Sequence, residues 1–475
     1  LNLAPIKKYL EKYRYQLLLL VSCGFGYFPL SSFLLIPKWD NINAFLPYRH
    51  IVATWINNGH LALWNPYQLL GYPMHADPQS GAWYPITWIL GFFNNYDFHA
   101  INIELLLHFY IGGLGMFLLG RTLKLNSSIA FFMGISYMFS GFMVGTSQVL
   151  VLIIAAAWFP MSINYLIRAL RKPSFKAIFL LSLINFLALT GSYPAMSLIL
   201  FYAYLFVAIY FIYRTMIGRY GFINVVKVFG GTALISLLLS AAYLLSIVEV
   251  LPFMTRADAI AYTADLFAKV SFNIQCFTSF ILPYSTVSNS EFFNTDISMA
   301  NAYFGIFAFI AMLAGVLYSK NKKVILFFLL ACCFLMISLG MQFPVHYLFY
   351  KFVPGFDLFR HPSIFRIYAI FFFILATGMS AQIFANEAEK REKAIRLLRS
   401  SIFFFGGLVI IGLVYTNYTL VDDYLASLLH LKERSPFNLA GHVLVQSTLQ
   451  LILLSIAYYY VKRKKLNMQR MLVLV

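Results

Sequence analysis

The feature that most constrains this chain is a recurring apolar run. Runs long enough to cross a hydrocarbon core of about 30 Å as helix fall at 15–37, 99–120, 127–146, 148–167, 177–191, 193–213, 228–248, 302–318, 324–341, 363–385, 400–417 and 443–461. In lipid the backbone must satisfy its own hydrogen bonds, and a helix does so within each run. The expectation is an all-α, polytopic integral membrane protein with about 12 transmembrane helices. Only 11% of the residues are charged, against the roughly 25% of a soluble chain. The first run is too long for a secretory leader and has no small-residue cleavage site after it, so it reads as a retained helix.

The net charge of +18 acquires meaning from where it lies. With the N-terminus placed in the cytoplasm and the sides alternating, the inner segments are 1–14, 121–126, 168–176, 214–227, 319–323, 387–399 and 462–475. They hold 26 of the 35 Lys and Arg residues and four of the 17 acids. That asymmetry follows the positive-inside rule and places both termini in the cytoplasm of a cytoplasmic (inner) membrane protein. The basic balance is therefore a topology signal with attraction to anionic membrane lipids, and nucleic acid is not expected as a partner. Of four cysteines, Cys23, Cys332 and Cys333 fall in runs and only Cys276 in an outer loop, so no disulfide framework is expected.

The long connections, 38–98, 249–301 and 342–362, all fall on the outer side, whereas inner ones are short and basic. The chemistry is therefore expected outside. In the first loop, apolar residues at 45, 46, 51, 52, 55 and 56 have helical spacing, and Asn57-Asn58-Gly59 stops them. This predicts an amphipathic helix over 43–58 on the outer interface. Five of the six Trp residues lie in the same loop, either as an interfacial belt or as walls of a site.

Asp40 stands at the outer mouth of the first run. Partial desolvation there would raise its basicity toward that of a proton acceptor; the alternative is a solvated loop acid. Asp77, in HADPQSGAWYP, either hydrogen-bonds a ligand or caps a following helix. The later outer loops offer Glu249, then Arg256, Arg360, His361 and Arg366. Scarce outward cations of this kind bind anions such as phosphate or snorkel to lipid headgroups. The nine His residues are scattered, with no HExxH or tight Cys/His spacing, so no metal is expected. Walker, dinucleotide-binding and GxSxG patterns are absent.

Several stretches resemble the YfhO family of bacterial membrane proteins. They are Trp39-Asp40, Pro47, NNGHLALWNPYQLLGYPMHADPQSGAWYP at 57–85, His108 with the GGLGMFLLGRTLKL after it, TGSYPA at 190–195, LLSIVEVLPFMTR at 244–256, YFGI at 303–306 and PGFDLFRHPSIFR at 354–366. The similarity runs from residue 15 to about 385. That family looks like the GT-C class of glycosyltransferases, which take a sugar from a polyprenyl-phosphate carrier and pass it to an envelope acceptor. The resemblance implies a GT-C-like transmembrane catalytic module over 1–385, followed by C-terminal helices and a basic tail over 386–475. It implies Asp40 as general base and Trp64, Asn65, Asp77, Gln79, Tyr84 and Glu249 around sugar and acceptor. Arg256, Arg360, His361 and Arg366 would bind the donor phosphate. It further implies a lipid-linked sugar donor, a glycopolymer, glycolipid or protein acceptor, a separate enzyme that charges the carrier, and no cofactor. A single base implies inversion at the anomeric carbon. Two departures stand out: Leu61-Ala62-Leu63 lies where the family pattern has Pro before Leu-Trp, and Ile364 stands at the second Arg of its R-x-P-S-R run, which is missing unless Arg366 substitutes. The rival reading is a transporter or flippase of lipid-linked intermediates, for which internal repeats and ionisable groups at mid-membrane would be the marks.

Overall fold

The structure, a computed structural model, describes residues 4–254, 259–286, 291–416 and 439–463. Among these the repetitive elements are all helical, and the strand-like feature is an isolated antiparallel bridge between Asn65 and Tyr72. Among the described residues, eight helices are long and apolar enough to cross a membrane: Phe98–Thr122, Ser127–Gly145, Leu150–Arg171, Pro194–Met216, Phe222–Leu239, Pro362–Asn386, Ala388–Tyr415 and Leu439–Lys462. Shorter apolar helices occupy Phe175–Gly191, Ala241–Phe253 and Ile306–Tyr318. The chain is thus an all-helical, membrane-embedded protein, with part of its apolar content in helices shorter than a full span.

Two boundaries differ from the sequence reading for identifiable reasons. The first helix runs Ala4–Gly26 and does not continue to 37. A one-turn helix, Phe28–Ser31, follows, with Pro29 in its first turn, and the Asn102 side chain then donates to the carbonyls of Leu30 (3.4 Å) and Leu35 (2.9 Å). The basic run near 389–399, read as a connection, is instead the start of the 28-residue Ala388–Tyr415 helix. Its residues are strong helix formers, and Lys390–Glu387 (2.8 Å) and Lys393–Glu389 (2.5 Å) pair at helical spacing.

The contacts divide the chain into two compact units. The first comprises 1–123, 146–260 and 354–359. At its centre the Phe98–Thr122 helix packs on Leu150–Arg171, the latter buried nearly all round, as an interior membrane helix must be. The Asp97 carboxylate starts the Phe98–Thr122 helix by accepting from the backbone N–H of His99 (2.8 Å) and Ala100 (3.1 Å). The Ala4–Gly26 helix packs alongside, and Tyr27 just beyond it stacks on Phe109 at 4.0 Å. The second unit comprises 124–145, 261–353 and 360–475. There Arg366–Asn386 packs against Ile306–Tyr318 and Lys322–Ser338, while Ala388–Tyr415 pairs with Leu439–Arg463. Among the described residues from Phe272 to Phe304, 3-10 turns form at Ile274–Phe280, Pro283–Thr286 and Ile297–Met299, and the Asn273 amide donates to the carbonyls of Phe293 (2.8 Å) and Asn294 (2.7 Å).

Candidate functional site

The 38–98 loop folds back on itself and carries most of the residues singled out in sequence. Its helix forms as the spacing predicts: a π-turn over Asn41–Phe45 leads into Leu46–Asn57, closed by Asn58 and by Gly59 at φ 79°. The apolar face does not simply lie on an interface. Ile51 and Val52 pack on Ala62, Met74 and Ala82 of the same loop, forming a small core. Asn41 anchors the entry: its amide donates to the Ser147 carbonyl (2.7 Å), and its oxygen accepts from the Leu150 N–H (3.1 Å) at the start of the Leu150–Arg171 helix. Asp40, immediately before, is exposed at the head of the π-turn. Turns of this kind are frequent at functional positions because they re-aim side chains.

Asp77 is partly buried in the same loop. It accepts from the Gln79 N–H (2.9 Å) and from the Tyr72 hydroxyl (3.4 Å), and Tyr72 is hydrogen-bonded to Tyr48. Burial holds the Asp77 carboxyl above the usual carboxylate range, although both hydrogen bonds pull the other way. The Tyr48 phenol is pushed up by burial first, then by the charge of Asp77 and, more weakly, of Asp40.

The other residues of the expected sugar site divide. Trp64 is half exposed over Gly71, and Gln79 is partly buried beside Asp77. Asn65 is fully buried: it makes the backbone bridge to Tyr72, and its side chain accepts from Tyr67 N–H (2.9 Å) and donates to Gln68 (3.2 Å). It shapes the 64–73 turn from behind, where no ligand reaches it in this conformation. Tyr84 is likewise fully buried and so cannot stack on a sugar here. Glu249 is exposed on the Ala241–Val250 helix.

Tyr84 belongs to a buried polar cluster that the sequence reading did not assemble. Arg49 and Glu104 are both fully buried, 3.5 Å apart. Tyr96 donates to Glu104, and Arg49 donates to Thr87. The Arg49 guanidinium lies over the rings of Tyr84 (5.8 Å) and Tyr96 (5.9 Å), a cation–π enclosure. The Glu104 carbonyl can only accept, so its 2.6 Å contact places a proton on His108 Nδ1. Nε2 must then accept from the Tyr84 hydroxyl (2.6 Å), which in turn accepts from the Trp158 indole (3.0 Å). Gly81, at φ 74°, passes so close that a Cβ would strike the Arg49 guanidinium. The signal in the sequence was Glu104, an acid inside an apolar run, which is costly unless paired.

In the second unit Arg366 is fully buried. It donates to the carbonyls of Asn301 (2.9 Å), Ser363 (2.9 Å) and Ser298 and to the Ser363 hydroxyl (2.6 Å), and it lies 4.6 Å from the Phe142 ring. Those bonds make it a clamp for irregular backbone, with its donors already committed, and leave it closed to a phosphate in this conformation. Arg360 is half-buried, and its Nε has no hydrogen-bond partner among the described residues. His361 is half-buried just ahead of the Pro362–Phe365 turn. Arg256 lies outside the described residues. Among the described residues no three His, Cys, Asp or Glu side chains gather as a metal group. Comparison with protein families, characterised proteins and solved structures finds nothing that matches this chain.

Proposed function

We propose that the chain is a membrane glycosyltransferase of GT-C type, moving a sugar from a polyprenyl-phosphate carrier to an envelope acceptor on the outer face of the cytoplasmic membrane. The observation that supports the reading is the folded 38–98 loop, which leaves Asp40 exposed at the head of its π-turn and Asp77 partly buried on the Tyr72 hydroxyl. In the proposed step the acceptor oxygen bonds to the anomeric carbon as the bond from that carbon to the carrier phosphate breaks. The electron pair leaves with the polyprenyl phosphate. The acceptor proton passes to the Asp40 carboxylate, with inversion at carbon. Trp64, Gln79 and Asp77 line the sugar and acceptor side, and Asn65 and Tyr84 hold the loop in shape. Arg360 and His361 keep their phosphate role on charge grounds alone, to neutralise the leaving group.

The test is mass spectrometry of envelope polymers from cells with and without the protein, and from cells carrying Asp40→Asn. Loss of one sugar modification without the protein, and a fall of about a hundredfold or more with D40N at equal membrane abundance, is the expected result. Unchanged modification with D40N removes the base assignment. Lipid flipping by the purified protein in vesicles, without sugar transfer, replaces the transferase with a transporter.

A further inference from the structure

Between the Lys322–Ser338 helix and the Pro362–Asn386 helix of the second unit, the latter long and apolar enough to cross a membrane, the chain forms the nine-residue helix Pro344–Phe352. Pro344 opens it, since the first N–H of a helix has no partner within it and a proline loses nothing there. One side of this helix is committed to the protein. His346 is buried and shares a hydrogen bond with the Tyr262 hydroxyl (3.1 Å), the Tyr350 ring packs on the Tyr262 ring (4.9 Å), and Phe349 meets Phe365 edge-on (6.5 Å). Three and four residues apart, these positions share one face.

The opposite face carries Pro344, Tyr347, Leu348, Lys351 and Phe352, all exposed, at spacings i, i+3, i+4, i+7 and i+8. Tyr347 is 43% exposed, Leu348 49% and Phe352 68%. Single apolar side chains on a surface are ordinary, but a contiguous stripe of them marks a contact. Its one charge is Lys351, whose ammonium lies 5.4 Å from the centre of the Phe352 ring and pairs with no carboxylate among the described residues.

What covers this face follows from its level. Phe365 belongs to the turn that opens the Pro362–Asn386 helix, so its contact with Phe349 holds the short helix at the end of a membrane span. Hydrocarbon gives way to headgroups at that depth. Tyr and Lys collect there because each has an apolar body and a polar tip, which lets the body sit in the boundary while the tip reaches water or phosphate. At about 13 Å in length the helix is too short to cross the hydrocarbon itself.

We infer that Pro344–Phe352 is an interfacial helix that docks on the lipid bilayer, with Leu348 and Phe352 among the acyl carbons nearest the headgroups and Tyr347 and Lys351 at headgroup level. This holds whether or not the protein transfers sugar.

Spin labels on the full chain in phosphatidylcholine vesicles containing phosphatidylglycerol test it, placed singly at Leu348→Cys and Phe352→Cys in a background lacking the four native cysteines. Labels at exposed Leu329 of the Lys322–Ser338 helix and at exposed Asn58 serve as references for lipid and water. Collisions with oxygen should exceed those with a water-soluble nickel chelate at 348 and 352, as at 329, and the ratio should place both labels about 5–10 Å below the lipid phosphates. The unaltered protein gives a second readout that does not depend on the substitutions. Phosphatidylcholine with a diazirine on an acyl carbon close to its headgroup is photolysed in the same vesicles, and labelled peptides should include 341–353. Nickel access at 348 and 352 equal to that at 58, or no photolabel in 341–353, puts the face in water and overturns the assignment. Low access to both reagents, with dipolar broadening between labels on two molecules, replaces the bilayer with a second copy of the chain; low access without broadening replaces it with protein of the same chain.

Discussion

Asp77 shows how one side chain acquires a pH-dependent cost from its surroundings. Its folded-state pKa is raised by burial, so the folded protein favours the protonated acid. Stability tied to this group is fully present below the unfolded value of about 3.9 and is lost as pH rises through the folded value. Asp77→Asn keeps an oxygen for the Gln79 N–H and carries no charge. It should therefore raise the thermal midpoint at pH 7 to 8 and leave it unchanged near pH 3, as read by thermal unfolding in detergent. Arg49 and Glu104 are the opposite case, a fully buried pair in which each charge neutralises the other. Arg49→Met strands a buried carboxylate and should cost about 3–5 kcal/mol, whereas R49M/E104L should cost clearly less than the two single changes added together. A double-mutant cycle on thermal or denaturant unfolding measures the difference. A reader of the sequence could suspect Glu104 as an acid in an apolar run. No rule of spacing names Arg49 or Tyr96 as its partners, because those contacts form only when the loop folds back onto the helix.

At the scale of elements, the local signals were most legible where a helix has a chemical start or stop. Asp97 before the Phe98–Thr122 helix and Asn57-Asn58-Gly59 after Leu46–Asn57 act as their residue types dictate. The signals failed where charge density was taken for a loop, since the Ala388–Tyr415 helix absorbs its basic run through pairs along its own surface. They also missed the helix Pro344–Phe352 within the 342–362 loop. Its His346 is buried, shares a hydrogen bond with the Tyr262 hydroxyl through Nδ1 (3.1 Å) and stacks on that ring at 5.7 Å. Burial pushes His346 down to about 4. A neutral buried imidazole contributes stability above its ordinary value of about 6.5 that is lost as pH falls toward the folded value. Protection factors over 341–353, taken relative to the intrinsic exchange rate at each pH, should therefore fall between pH 7 and pH 4, and His346→Phe should flatten that dependence.

For the whole molecule, charge asymmetry makes a claim about sides that helical packing alone does not. If the basic segments are cytoplasmic, a cysteine at exposed Asn58 in a background lacking the four native cysteines should react with an impermeant maleimide on intact cells. One at exposed Glu392 should react only after permeabilisation; the reverse pattern inverts the topology. The sequence by itself determined that the chain is helical and built for a membrane, because apolar length and backbone hydrogen bonding leave little else to form. It also marked the 38–98 loop as chemically unusual. Only the tertiary structure decided which residues of that loop face outward and which hold it together. Asp40 stays exposed, Asp77 is half-hidden among phenols, and Asn65 and Tyr84 pass into the interior. The same holds for Arg366, which a charge count offers to a phosphate and the fold gives to backbone carbonyls. The physical reason is that sequence spacing reports the period of one element at a time. Burial, ion pairing and the partner of a donor depend on which distant elements come to rest against it.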